Sequence, residues 1–139
     1  MPKNVSELRD KLAIKYVPAA SLRPSDYNPR VWSKDAIIQL KESIHKYGLV
    51  DPLLVNSAPG REGIIIGGHF RYGIAKELGY SEMPVVFVSI PDIEKEKELN
   101  IRLNKNTGEF DWDLLAGFGE EFLSGIGFSS EELDDIFAL

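Results

Sequence analysis

The chain contains no cysteine, which excludes disulfides, thiol catalysis and any zinc site built on thiolates. It has no apolar run of the roughly 18 residues that a bilayer-crossing helix needs, and no signal-peptide pattern at its start. The expected location is therefore the cytoplasm, with no membrane partner. Internal repeats and low-complexity tracts are also missing, which removes solenoids and flexible arrays from consideration.

What is present suits one globular domain with room for an appendage: 139 residues, 43% hydrophobic and 27% charged. The net charge of −6 hides an asymmetry. Residues 1–80 carry 12 Lys and Arg against 8 Asp and Glu, whereas residues 81–139 carry 4 against 14. A basic face in the first part suits a polyanion such as DNA, and the acidic second part would repel one. Strong nonspecific duplex binding by the chain alone is not expected; a small anion in a pocket fits better, and the acidic part suits a protein partner.

One stretch organises the rest. Ile64, Ile65 and Ile66 are consecutive β-branched residues and read as a short strand buried on both faces. Gly67 and Gly68 follow, and then a helical segment with Phe70, Ile74, Ala75 and Leu78 along one side and Gly79 at the stop. A strand that turns through Gly-Gly into a helix exposes the first free N–H groups and the positive end of the dipole, a geometry that accepts phosphate. His69 and Arg71 in the first turn can reinforce such a site.

In chain order, residues 1–13 are either an arm, a short helix with Val5, Leu8 and Leu12 on one side, or disordered. Ile14–Val17 is a strand stopped by Pro18, and 21–30 is a loop whose Arg23 and Arg30 are candidates to reach a ligand. Ser33 caps a helix to about Tyr47, with Ile37, Leu40, Ile44 and Tyr47 on its apolar face, His45 on the flank and Gly48 at the stop. A strand at 53–56 and a hairpin-like loop at 57–63 lead to the isoleucines. A third strand covers Val85–Val88 after Pro84. The next helix, about Pro91–Asn104, places Glu94, Lys95, Glu96, Lys97 and Glu98 on a solvated face, with Ile93, Leu99, Ile101 and Leu103 making apolar contacts. A helix over 111–123 turns Trp112, Leu115, Phe118 and Phe122 inward, although Gly117 and Gly119 weaken it. Ser129 and Glu132 form a capping box, with Phe128 and Leu133 as its hydrophobic staple, for a helix from 130 to about 137.

The order of these pieces resembles the N-terminal domain of the ParB family and, more broadly, the ParB/sulfiredoxin superfamily. The resemblance covers roughly residues 14–106. It is carried by Asn28-Pro29-Arg30, by Tyr47-Gly48-Leu49-Val50-Asp51-Pro52, by Gly67-Gly68-His69-Phe70-Arg71-Tyr72 and by Met83-Pro84-Val85-Val86. It implies an α+β fold, a small mixed sheet packed with helices, with residues 1–13 as an arm and 107–139 as an acidic helical extension. It also implies phosphate or nucleotide binding by Gly67, Gly68, His69, Phe70, Arg71, Tyr72, Arg30 and Asn28. The nucleotide is CTP in partition proteins and ATP or ADP in sulfiredoxin-like members, with Mg²⁺. Some members are described as nucleases, and the stretch from Leu99 to Leu133 looks most like the type that precedes phage-type DNA methyltransferases.

Residue by residue, the partition-protein box Gly-Glu-Arg-Arg-x-Arg-Ala-Ala is matched at Gly68, Arg71 and Ala75, while Phe70 and Gly73 replace two of its arginines. The sulfiredoxin box is matched at Gly67, Gly68, Arg71 and Tyr72, but His69 stands in place of the nucleophilic cysteine, so sulfinic acid repair is excluded. The related serine-kinase box is matched at Gly68, His69 and Arg71 and lacks its leading acid. The family's Glu-Asn pair for nucleotide and Mg²⁺ has its counterparts in Glu98 with Asn100, or in Asn104. The leading expectation is a nucleotide-binding domain in a phage- or plasmid-type DNA context. The alternatives are a metal-dependent nuclease or NTPase with His69 as general acid/base, and a non-catalytic module of a DNA-modification system. No Asp-Pro-Pro-Tyr-like motif occurs, so the chain is not expected to transfer methyl groups by itself.

Overall fold

The three isoleucines form the expected strand, which belongs to a five-stranded mixed sheet. The computed structural model of the chain describes residues 11–28 and 30–137, so most of the expected N-terminal arm lies outside the described residues. In chain order the elements are β1 (Ile14–Pro18), β2 (Arg23–Pro24), α1 (Lys34–Tyr47), β3 (Leu53–Asn56), β4 (Ile64–Gly67), α2 (His69–Glu77), β5 (Glu82–Val88), α3 (Ile93–Lys105), α4 (Trp112–Ala116), α5 (Glu120–Gly125) and α6 (Ser130–Phe137). The sheet order is β1-β5-β3-β4-β2. β1 runs antiparallel to β5 and β3 antiparallel to β4, whereas β3–β5 and β2–β4 are parallel.

β4 is covered on both faces, as its unbroken apolar run requires. Ile65 joins Leu53, Val55, Tyr72, Ala75, Met83 and Val85 in the main core, which α2 closes. Strand alternation turns Ile64 and Ile66 to the opposite face, where α3 packs on β4. The register between β3 and β4 shifts between Leu54 and Val55, and the ladder ends with Leu54 opposite Gly67. A shift of this kind re-aims the chain as it leaves the sheet.

Several expectations need correction. Arg23 and Pro24, read as loop, pair with Ile64 and Ile65 as a two-residue parallel strand. Tyr47 is exposed, so α1 buries Ile44 more than an apolar stripe. The expected helix over 111–123 is two short helices, because Gly119 adopts φ 89° and restarts the chain. That break leaves Leu115 and Leu123 inside and Trp112, Phe118 and Phe122 half or more exposed. α3 is inverted relative to expectation: Glu96 and Asn100 are its buried residues, while Ile93, Ile101 and Leu103 are exposed. A small second core of Leu115, Leu123, Leu133 and Ile136 holds α4–α6 together. Among the described residues no helix is long and apolar enough to cross a membrane.

Candidate functional site

The Gly67-Gly68 turn demands glycine at its second position. Gly68 caps α2 at φ 99°, ψ 24°, and a Cβ there would lie 2.5 Å from Leu53 Cδ2 and 2.8 Å from an Arg71 guanidinium nitrogen. The Gly68 carbonyl accepts from the Tyr72 amide at 2.9 Å. The amides of His69, Phe70 and Arg71 therefore precede the first intrahelical bond and sit at the positive end of the dipole.

The turn borders a hollow of about 40 Å³, enough for a few waters or one phosphate group and too small for a nucleoside. Gly67–Arg71 line it from the turn, Asn28, Arg30 and Trp32 from the β2–α1 loop, and Asn100 and Asn104 from α3. Arg71 is half held: one terminal nitrogen donates to the Pro52 carbonyl at 3.0 Å, and the other lies 3.5 Å from Asp51 Oδ2. Its Nε is buried without a partner. Burial pushes this guanidinium below the ordinary arginine value, with Asp51 opposing the shift and the Arg30 charge adding to it. Arg30 donates to Asn104 Oδ1 at 3.2 Å and lies 4.8 Å over the Trp32 ring, which stacks on Phe70 at 5.0 Å.

Asn100 completes the hollow. Its Nδ2 donates to the Ile66 carbonyl at 2.8 Å and, more distantly, to Asn28 Oδ1 at 3.4 Å. Its Oδ1 is buried with no partner, as is Trp32 Nε1. Two buried donors and one buried acceptor around the same hollow are thus unsatisfied by protein, and each such group costs about 1–3 kcal/mol unless something pairs it. A ligand offering both acceptor oxygens and a cation or proton fits that set.

His69 Nε2 lies 3.1 Å from the Ser25 amide, from which it accepts, and 2.8 Å from Ser25 Oγ. Burial lowers its pKa, so the imidazole is neutral near pH 7 with its other nitrogen protonated. It ties α2 to the β2–α1 loop. A wider apolar groove of about 430 Å³ adjoins the hollow, sharing Arg30, Trp32 and Arg71 and lined further by Leu40, Ile44, Leu49 and Val50.

Of the expected site residues, the fold brings together Asn28, Arg30, Gly67, Gly68, His69, Phe70, Arg71, Asn100 and Asn104. It places Tyr72 in the core, where its hydroxyl faces the carbonyls of Ala19 and Leu22 at 3.4 and 3.3 Å. Glu98 is exposed and pairs with Arg102 at 2.8 Å, outside the hollow, and Arg23 donates to the Glu62 carbonyl. Among the described residues no three His, Asp or Glu side chains are grouped to hold a metal.

Sequence reasoning missed two features. Trp32 lines both cavities and had no motif to mark it. Glu96, assigned to solvent, is the buried centre of a network with Arg61, Tyr27 and Asn56. Burial alone would raise its pKa, but the bonds from Arg61, Tyr27 and Asn56 outweigh that and hold the carboxyl below its ordinary value. The same burial and the Glu96 contact raise the Tyr27 pKa, and the Glu96 bond raises that of Arg61. The signal available in the sequence was the four-residue spacing of Glu96 and Asn100, which puts both on one helix face.

Known proteins share this architecture. The ParB/sulfiredoxin-like fold is seen in C-terminally truncated chromosome-partitioning protein ParB from Caulobacter crescentus complexed with CTP-gamma-S, at TM-score 0.66 and 20% identity over 89% of this chain and 70% of that one. The same protein complexed to the centromeric parS site superposes at TM-score 0.54 and 18% identity, over 88% and 63% of the two chains. Sulfiredoxin from Arabidopsis thaliana superposes at TM-score 0.50 and 22% identity, covering 63% of this chain and 96% of that one. In sequence the chain is 35% identical over 116 residues to the probable chromosome-partitioning protein ParB of Helicobacter pylori, covering 81% of this chain and 39% of that protein. It is 34% identical over 91 residues to the ParB-like nuclease domain-containing protein YnaK of Escherichia coli, covering 65% of this chain and 100% of that protein. A nucleoid occlusion protein of Geobacillus is 27% identical over 63% of this chain and 32% of its own length. The chain thus spans about a third of its partitioning and nucleoid-occlusion relatives and the whole of the shorter one. The ParB N-terminal domain profile matches residues 3–107, and with that match the chain belongs to the ParB N-terminal domain family.

Proposed function

We propose that this domain binds a nucleoside triphosphate, one phosphate group in the hollow at the start of α2 and the rest of the phosphate chain and the nucleoside in the adjoining groove. The observation that carries the reading is the Arg71 Nε, buried and unpartnered at that hollow. A phosphate oxygen would satisfy it, Arg30 would supply a second cation, and the first-turn amides of α2 would bind a further oxygen. The groove is large and apolar enough for a base and sugar. CTP is the leading candidate, since a ParB of the same fold is complexed with a CTP analogue; ATP is the second. Mg²⁺ fits through Asn100 Oδ1, a neutral oxygen without a protein partner, with phosphates and water completing its shell. The ion would neutralise phosphate charge.

The setting proposed is DNA-related and of phage or plasmid type, in the cytoplasm. DNA would meet the basic first part of the chain. The acidic extension would meet a protein: residues 107–139 hold nine Asp and Glu and no Lys or Arg, and Phe110, Leu114, Phe118, Phe122 and Ile126 are exposed there. A second reading, a nuclease or NTPase using His69, is favoured by its neutral imidazole at the hollow. Catalysis would require His69 to release Ser25. Mg²⁺-dependent cleavage abolished by His69→Ala would establish it.

A thermal-shift panel of CTP, ATP, ADP and GTP, with and without Mg²⁺, tests the main reading. A ligand at about 100 times its Kd should add about 2.7 kcal/mol of stability. Arg71→Ala should weaken the bound nucleotide by about 2 kcal/mol, roughly thirtyfold. No shift with any triphosphate at millimolar concentration would reject it.

A further inference from the structure

We infer that Glu96 is a positioning residue for the hollow, acting through Tyr27 on the loop that carries Asn28 and Arg30. Its consequence for binding rests on the phosphate reading above, whereas its effect on the loop does not.

Glu96 is fully buried, which a carboxylate tolerates only when its oxygens are paired. Oε1 accepts from Asn56 Nδ2 at 2.7 Å and from Arg61 Nε at 3.1 Å. Oε2 accepts from Arg61 at 2.7 Å and from the Tyr27 hydroxyl at 2.6 Å. Asn56 belongs to β3 and Arg61 to the β3–β4 turn, so these two bonds fix the carboxylate to the sheet. The Tyr27 bond does something else: it reaches across to the β2–α1 loop. One helical turn on, Asn100 repeats the arrangement, holding the Ile66 carbonyl of β4 and, at longer range, Asn28 of the same loop. α3 therefore grips two successive loop residues from one face, while Ser25 is tied to His69 and Trp32 stacks on Phe70 at the loop's two ends.

The grip matters because of what α2 lacks. With Phe70 and Gly73 in the turn-and-helix segment, Arg71 is the guanidinium that segment offers, and the second comes from the loop. Arg30 is exposed, and its side chain is held by a 3.2 Å bond to Asn104. Two guanidiniums at one hollow repel each other, so a loop free to move would carry Arg30 away from Arg71. The Tyr27–Glu96 bond opposes that displacement. A carboxylate serving the sheet alone would be complete with Arg61 and Asn56.

The experiment compares wild type with Tyr27→Phe, which removes one hydroxyl and leaves the Glu96, Arg61 and Asn56 bonds in place, and with Glu96→Gln. Amide exchange is followed by mass spectrometry, and affinity for Mg-CTP and for inorganic tripolyphosphate by calorimetry. For Tyr27→Phe we expect faster exchange across the loop containing residues 25–28 and 30–32, unchanged exchange in β3, β4 and β5, and binding of both probes about tenfold weaker, the loss of one bond to a charged acceptor. Unchanged loop exchange overturns the inference whatever the affinities, and so does acceleration spread evenly over loop and strands, which marks a stability effect. If wild type binds neither probe, the phosphate reading falls and the exchange pattern alone decides the role of Glu96. Should Glu96→Gln not fold, Tyr27→Phe still decides between a loop-positioning and a purely structural carboxylate.

Discussion

A single backbone angle and a single guanidinium carry most of the argument at the residue scale. Gly68 was legible in the sequence because a strand, two glycines and a helix form a local pattern, and local patterns constrain φ. A methyl group there meets Leu53 and Arg71 at under 3 Å in a conformation that L residues avoid. Gly68→Ala is therefore expected to cost about 2 kcal/mol of stability, within the usual range for enforced backbone strain. It should also displace Arg71. Urea denaturation checks this, and stability within 0.5 kcal/mol of wild type, taken as roughly the spread of neutral substitutions, would mean that the turn relaxes. Glu96 was not legible, because its partners are 35, 40 and 69 residues away in the chain and nothing near it marks Arg61 as a counter-charge.

At the scale of elements, helix ends read well and helix faces read poorly. Ser33 and Gly48 bound α1 as expected. The Ser129–Glu132 capping box is formed in both directions, at 3.1 and 3.0 Å. Ser129→Ala should cost about 1 kcal/mol and increase exchange in α6 more than in the sheet; equal protection in α6 would deny the cap any role. Faces fail where tertiary partners override hydrophobicity. α3 turns a carboxylate and an amide inward because Arg61, Tyr27, Asn56 and the Ile66 carbonyl await them, and its isoleucines are left to solvent. α4 and α5 fail for a different reason. Gly119 breaks the assumed continuous period, so aromatic residues on one projected stripe end up outside.

The fold of the whole molecule was the most legible level: apolar runs, glycine stops and capped helices marked the individual strands and helices, and the resemblance to the ParB/sulfiredoxin superfamily implied the mixed sheet they form. The two-residue β2 is too short to leave a signal of its own. Whole-molecule stability should depend on acid through the half-buried His69 and the buried Glu96. His69 is held below its ordinary pKa by burial, so its contribution is complete above about pH 6.5 and declines as pH falls toward the folded value. Glu96 is also net depressed, and its contribution is present above about pH 4.3 and lost as pH falls through its lower folded value. Both signs agree: stability should drop from pH 7 to pH 4, with the upper part of the decline reduced in His69→Gln. A flat profile over that range would show that His69 is not perturbed in the folded state.

The most direct measurement on the central claim is a ¹⁵N chemical-shift titration of the full chain with Mg-CTP. Nucleotide binding at the start of α2 predicts the largest changes at the amides of Gly68, His69, Phe70 and Arg71, at the Arg71 Nε–H and at the Trp32 indole N–H, with the same amides responding to tripolyphosphate alone. Shifts confined to other surfaces, or none at these groups at millimolar nucleotide, would contradict it.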